Sequence, residues 1–262
     1  MKCLDTFMSE LDELHNLQRF VTSASGVFPR FSRLFDADHE ANYYFDENPN
    51  QRIALKSSMP GTDTANKALY VMCWGSFEQF LRMLVREGAQ LRNRIGWSNG
   101  EIPLNVRTKH TIICAQLMPQ IISGSLRITS LNGKMVSKNL HEIYCQADQA
   151  KLDVDALSAF GGGFAEDELE KLGERIGVTL SWTAIGDCSE LRSLSELKGK
   201  DAVGKWASGR FCKARDDRNL FTHRGAGPEV FGQSEFEEHF VFLKVLATRA
   251  ATMVGSQSSD EK

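Results

Sequence analysis

Between residues 65 and 84 the bulk of the apolar side chains falls at steps of three and four. Ala65, Leu69, Met72, Ser76, Phe77, Phe80, Leu81 and Leu84 form one stripe. That is the period of an α-helix with a single buried face, and such a face must be covered by another element. The helix is predicted from Asp63 to Glu87. Pro60-Gly61 breaks the chain before it, and Thr62, Asp63 or Thr64 can cap its first amides. Glu78, Arg82 and Arg86 step along a different face at intervals of four.

The same spacing recurs at both ends of the chain. Leu4, Phe7, Leu11, Leu14, Leu17 and Val21 mark an N-terminal helix, and Phe236, Phe240, Phe242, Leu243 and Leu246 mark a late one over 235–254. Between them, helical patterns cover about 106–122, with Pro119 as a place to bend, and about 137–147 and 166–176, with Gly177 as C-cap. Shorter ones follow around 189–198 and 202–214. Alternating, strand-like runs are confined to 125–129 and 178–182. The expected fold is therefore all-α. Core helices are expected at about 4–24, 62–88, 202–225 and 234–254 of a single domain over 1–254. A variable insert occupies about 89–199, and 255–262 reads as a flexible polar tail. Asn48-Pro49-Asn50 and Ser98-Asn99-Gly100 read as loops, and Gly161-Gly162-Gly163 as a joint. That triple glycine lacks the Lys-Ser/Thr of a phosphate-binding loop.

Composition removes several classes of function. The net charge of −3 gives no global basic field, so any nucleic-acid contact must come from a local patch. Cysteines at 3, 73, 114, 145, 188 and 212 have no metal-ligand spacing and read as reduced, structural thiols. His110, His141 and His239 have no partner at ligand spacing and read as structural or solvent-facing, while Trp74 and Trp206 read as core or interface residues. No metal site and no cofactor is expected. The first twelve residues carry Asp5, Glu10 and Asp12 and do not read as a signal peptide, and no window reaches a membrane span. These features predict a cytoplasmic protein with no membrane partner.

The segment Arg218-Asn219-Leu220-Phe221-Thr222-His223 carries the most specific chemistry. At about 100° per residue, Arg218 and His223 point about 140° apart on one helix, whereas Asn219 and His223 share a face. One chain therefore cannot easily aim Arg218 and His223 at one phosphate. Two chains can, if this helix packs antiparallel against its two-fold mate and Arg218 of one meets His223 of the other. Arg215, Asp216 and Asp217 read as the start and cap of this segment.

Arg-Asn-x-x-x-His resembles the signature of the HEPN ribonucleases: Arg, four to six residues, then His, with a polar residue often after the Arg. Arg224-Gly225 looks like the end of that signature helix. The stretch from Ala68 to Arg82, with Phe77-Glu78 and Leu81-Arg82, looks like the family's earlier core helix. The order of elements is also similar, and the nearest branch is the RiboL-PSP type. The two motif helices carry the resemblance, and the middle of the chain matches nothing recognisable.

The resemblance implies a HEPN-like helical bundle with a helical insert between the core helix pairs. It implies a homodimeric endoribonuclease that cleaves RNA without metal to 2′,3′-cyclic phosphate and 5′-hydroxyl ends. Arg218, His223 and Asn219 would be catalytic, with Glu78 and Arg215 supporting. A bacterial toxin or anti-phage effector, with an antitoxin or regulatory protein as partner, is the role that goes with that family. The alternative is a non-catalytic HEPN module that binds RNA or a partner protein through the same face.

Overall fold

The computed structural model describes residues 1–37, 62–97, 101–125, 131–145, 150–159, 167–223 and 231–257, with side chains over the same segments apart from 24–37, 62–63, His223 and Gln257. The expected loops at 48–50 and 98–100, the break at 60–61, the triple glycine, the Arg224-Gly225 end and most of the strand-like run at 125–129 and of the tail lie outside these residues.

The described residues are almost entirely helical and contain no strand, so the chain is all-α. In chain order the helices are α1 (Lys2–Ala37), α2 (Thr62–Ile95), α3 (Leu104–Ile122), α4 (Gly133–Tyr144), α5 (Val154–Ser158), α6 (Glu168–Arg175), α7 (Trp182–Ile185), α8 (Ser189–Ser195), α9 (Lys200–His223) and α10 (Gln233–Gln257). The strand-like run at 178–182 is an irregular segment leading into α7. Pro119 stands inside α3, which continues to Ile122.

The chain packs as two compact units. The first comprises Met1–Phe7, Phe77–Arg215 and Phe242–Lys262, and the second Met8–Ser76 and Asp216–Val241. In the first unit, Phe7 meets Phe77 and Phe80 at ring-centroid distances of 5.9 and 5.0 Å, and Phe77 meets Phe211 edge-on. Leu81, Leu84, Phe242, Leu243 and Leu246 are buried around them. Trp206 packs edge-on against Phe242. The carboxylate of Glu87 accepts the Cys3 backbone N–H at 2.7 Å, satisfying one orphan amide at the start of α1.

Helix α3 packs on α4, α5 and α6. Cys114, Leu117, Val136 and Ala156 form a small core there. Asp153 caps α5 through its carboxylate, which accepts the Ala156 N–H. Asn93 clamps the preceding residue, donating to the Leu152 carbonyl at 2.9 Å and accepting its N–H at 2.8 Å. Ile176, not Gly177, is the C-cap of α6; Gly177 follows it at φ +68°, and a side chain there would strike Trp97. Arg92 lies buried beneath that indole, 4.8 Å from its centroid, and donates to the carbonyls of Ile176 and Gly177. Gly186 and Gly204 let α7 and α9 cross in backbone contact: a Cβ on Gly204 would meet the Trp182 carbonyl and one on Gly186 the Lys200 carbonyl.

Two positions of the expected stripes face water: Met72 is 53% exposed and Leu17 46%. Tyr70, Cys73 and Trp74 are buried in the same stretch of α2, and Gln18 in α1. All six cysteines are free thiols. Burial pushes Cys3, Cys73 and Cys114 up to about 12, which leaves them protonated and inert. Cys145 is exposed and packs no core. His110 is buried, whereas His141 is exposed.

Candidate functional site

The signature residues sit at the end of one long helix. Nothing between Lys200 and His223 breaks the helical pattern except two glycines early in the run, so α9 is a single 24-residue element. Arg215, Asp216 and Asp217 are therefore interior helical residues and not a start or cap. Arg215 and Glu78 are half-buried members of the first unit, while Arg218, Asn219 and His223 belong to the second. The backbone of His223 closes α9, and its side chain lies outside the described residues.

Arg218 and Asn219 are both half-buried, and the Arg218 guanidinium donates to the Asn219 side-chain carbonyl at 3.0 Å. This contact uses the amide oxygen and leaves the Asn219 amide N–H groups directed elsewhere. The tether restricts a long side chain whose fork can bind two phosphate oxygens at once. Thr222 donates its hydroxyl back to the Arg218 carbonyl at 2.8 Å, which occupies one acceptor near the helix C-terminus.

The inner face of the same turn is aromatic. Phe221 meets Tyr70 edge-on at 5.7 Å and Phe231 at 5.0 Å, and Lys67 lies 5.8 Å from the Phe221 ring centroid. Tyr70 and Phe231 also contact each other at 5.2 Å. Asp217, four residues before Phe221, is buried and faces the imidazole of His239 on α10, with 3.7 Å between Oδ2 and Nε2. The second unit also holds a largely buried polar chain. Gln18 donates to Asn66 at 3.5 Å and to Thr22 at 3.1 Å, and Asn66 donates to the Phe231 carbonyl at 3.3 Å. His15 on α1 and Glu237 on α10 form a partly exposed pair at 3.0 Å.

Sequence reading missed Asp217, His239, Tyr70 and Phe231 as neighbours of the signature. The sequence reads Asp217 as part of a helix start and His239 as structural or solvent-facing. They stand on two different helices, α9 and α10, so no local spacing in the sequence pairs them. The first unit also holds a cleft of about 330 Å³ bordered by Trp97, Glu170 and Glu174, none of which the sequence singled out.

Among the described residues no group of three or more His, Cys, Asp or Glu is placed to hold a metal ion, and no helix is long and apolar enough to cross a membrane. No protein-family model matches the chain, and neither a curated protein nor a solved structure matches it.

Proposed function

We propose that this chain is a HEPN-type, metal-independent endoribonuclease whose active cleft is completed by a second copy. The observation that carries the reading is the unbroken course of α9 through His223. On such a helix Arg218 and His223 diverge by about 140°, so a symmetric pair of these helices is the simplest way to bring the two side chains together.

The chemistry fits these residue types. An imidazole, with an ordinary pKa of about 6.5, can take the ribose 2′-hydroxyl proton and pass it to the departing 5′ oxygen. The 2′ oxygen then bonds to phosphorus, the bond to the 5′ oxygen breaks, and a 2′,3′-cyclic phosphate remains. Arg218 is always charged, and its fork can stabilise the charge that builds on the phosphorane. Asn219 holds that guanidinium from one side. Glu78 and Arg215 are proposed only as supporting charges, and a toxin or defence role rests on the sequence resemblance alone.

The test is cleavage of single-stranded RNA by the purified chain in excess EDTA, with the product ends identified. Wild type should give 2′,3′-cyclic phosphate and 5′-hydroxyl ends, and Arg218→Ala and His223→Ala should each lose about 10²–10⁴-fold in rate. Equal RNA turnover by wild type and His223→Ala would overturn the reading.

A further inference from the structure

We propose that the cleft of about 330 Å³ in the first unit binds an unpaired guanine base, stacked on Trp97 and held at its hydrogen-bonding edge by Glu170. The proposal deepens the ribonuclease reading by naming a base, and rests on it only in taking RNA as one source of that base. A cleft of this size lies at the small end of ligand sites and suits a single flat ring system.

Trp97 supplies a fixed plate. Its half-exposed indole borders the cleft. The buried Arg92 guanidinium lies 4.8 Å from the ring centroid and is itself pinned by the carbonyls of Ile176 and Gly177. Gly177 comes so close that a Cβ on it would stand 2.8 Å from the indole. A ring held in this way loses little freedom when a ligand stacks on it. The Arg92 charge against the indole opposes a second cation there, so the plate suits a neutral ring. Stacking tolerates any base, so the edge of the base must discriminate.

Glu170, half-buried on α6, brings the discriminating group. Its Oε1 accepts the Trp182 N–H at a long 3.4 Å, and no cation pairs with this carboxylate among the described residues. Glu174, one turn further on, is by contrast exposed and tied to Lys109 at 2.8 Å. A carboxylate is an acceptor with two oxygens and matches two parallel N–H donors. Guanine is the base that presents them, N1–H beside the N2 amino group. The amide of exposed Asn105, on the same cleft, can donate to the neighbouring O6. Adenine and cytosine turn a ring-nitrogen lone pair toward the carboxylate, and uracil sets one N–H between two carbonyls, so each meets repulsion there.

The full chain is titrated by calorimetry with GMP, IMP, AMP and ribose 5-phosphate, which share ribose and phosphate. Two short single-stranded 2′-O-methyl RNAs follow, uncleavable and differing by one G or A. GMP should saturate the protein at millimolar concentration or below. IMP lacks the N2 amino group and should bind about tenfold or more weakly, while AMP and ribose 5-phosphate should not saturate. Glu170→Gln keeps an acceptor for the Trp182 N–H but should bring GMP down to the level of AMP. Trp97→Leu should weaken GMP by about tenfold or more, and Trp97→Phe, which keeps a ring, by less. Denaturation midpoints identify any variant that loses the fold, and Glu170→Gln decides if Trp97→Leu does.

No saturation by GMP, equal affinity for GMP and AMP, or unchanged GMP affinity in folded Glu170→Gln would overturn the proposal. Preference for the RNA with G identifies RNA as the source of the base, and GMP binding without that preference assigns the site to free guanine nucleotides. Absence of RNA cleavage by wild type would refute the ribonuclease reading alone, because base binding is measured without cleavage.

Discussion

Lowering the pH should destabilise this protein through His110, and the size of the effect can be worked out from its surroundings. His110 is fully buried on α3. The Asp153 backbone N–H donates to its Nε2 at 2.9 Å, so that nitrogen carries a lone pair and the ring is neutral. Protonation would point one N–H at another. Burial pulls the pKa from 6.5 down to about 4, against the Asp153 carboxylate, which pulls it upward. In the window between those two values the unfolded chain binds a proton that the folded chain refuses. Stability therefore falls as pH falls from 6.5 to about 4, and is unaffected by this group above it. At about 1.36 kcal/mol per pH unit for one proton, the loss across the window reaches about 3 kcal/mol. Urea unfolding at several pH values, for wild type and for His110→Gln, measures it. Glutamine can accept the same N–H through its carbonyl but cannot titrate, so its stability should decline less over the window by about that amount. Parallel stability-versus-pH curves for the two proteins would refute the reasoning.

Three further outcomes are expected. Gly204→Ala should destabilise the chain by about 1–3 kcal/mol in denaturant titrations, because the added methyl meets the Trp182 carbonyl, which is backbone and cannot swing away. Arg218→Lys should be nearly as inactive on RNA as Arg218→Ala, since a point charge replaces the two-pronged fork. Asn219→Ala should lower kcat less than Arg218→Ala does, because it frees the guanidinium from its 3.0 Å tether without removing it; equal losses in kinetic assays would give Asn219 a role of its own.

Much of the helical framework was legible because helix burial is periodic. The stripe through Phe77, Phe80, Leu81 and Leu84 is buried as its spacing requires, and so is the set from Phe236 to Leu246. The pattern failed where a stripe holds more apolar residues than its neighbours cover. Met72 belongs to the predicted stripe, but the larger Tyr70 and Trp74 take the buried places in that stretch. The polar interior was not legible. Arg92 is buried among the carbonyls of Ile176 and Gly177 and the face of Trp97, partners that no local spacing places beside it. Asp217 and His239, and likewise His110 and Asp153, are paired by the approach of separate segments, which no local spacing encodes. For α9 the sequence supports both one core helix and a short helix followed by a capped signature, because Asp216-Asp217 resembles a helix start. Burial of Asp217 against α10 explains that acidic residue without a cap.

The shared cleft is the central claim, and complementation between two inactive chains tests it most directly. Arg218→Ala and His223→Ala proteins are mixed in equal amounts under conditions that allow subunit exchange, and RNA cleavage is followed. In a mixed dimer one cleft lacks both groups and the other holds both. Half of all dimers are mixed at random exchange, so activity should return to about a quarter of wild type. If the mixture stays as inactive as either variant although exchange is shown to occur, Arg218 and His223 do not work across a dimer, and the shared-cleft account is wrong.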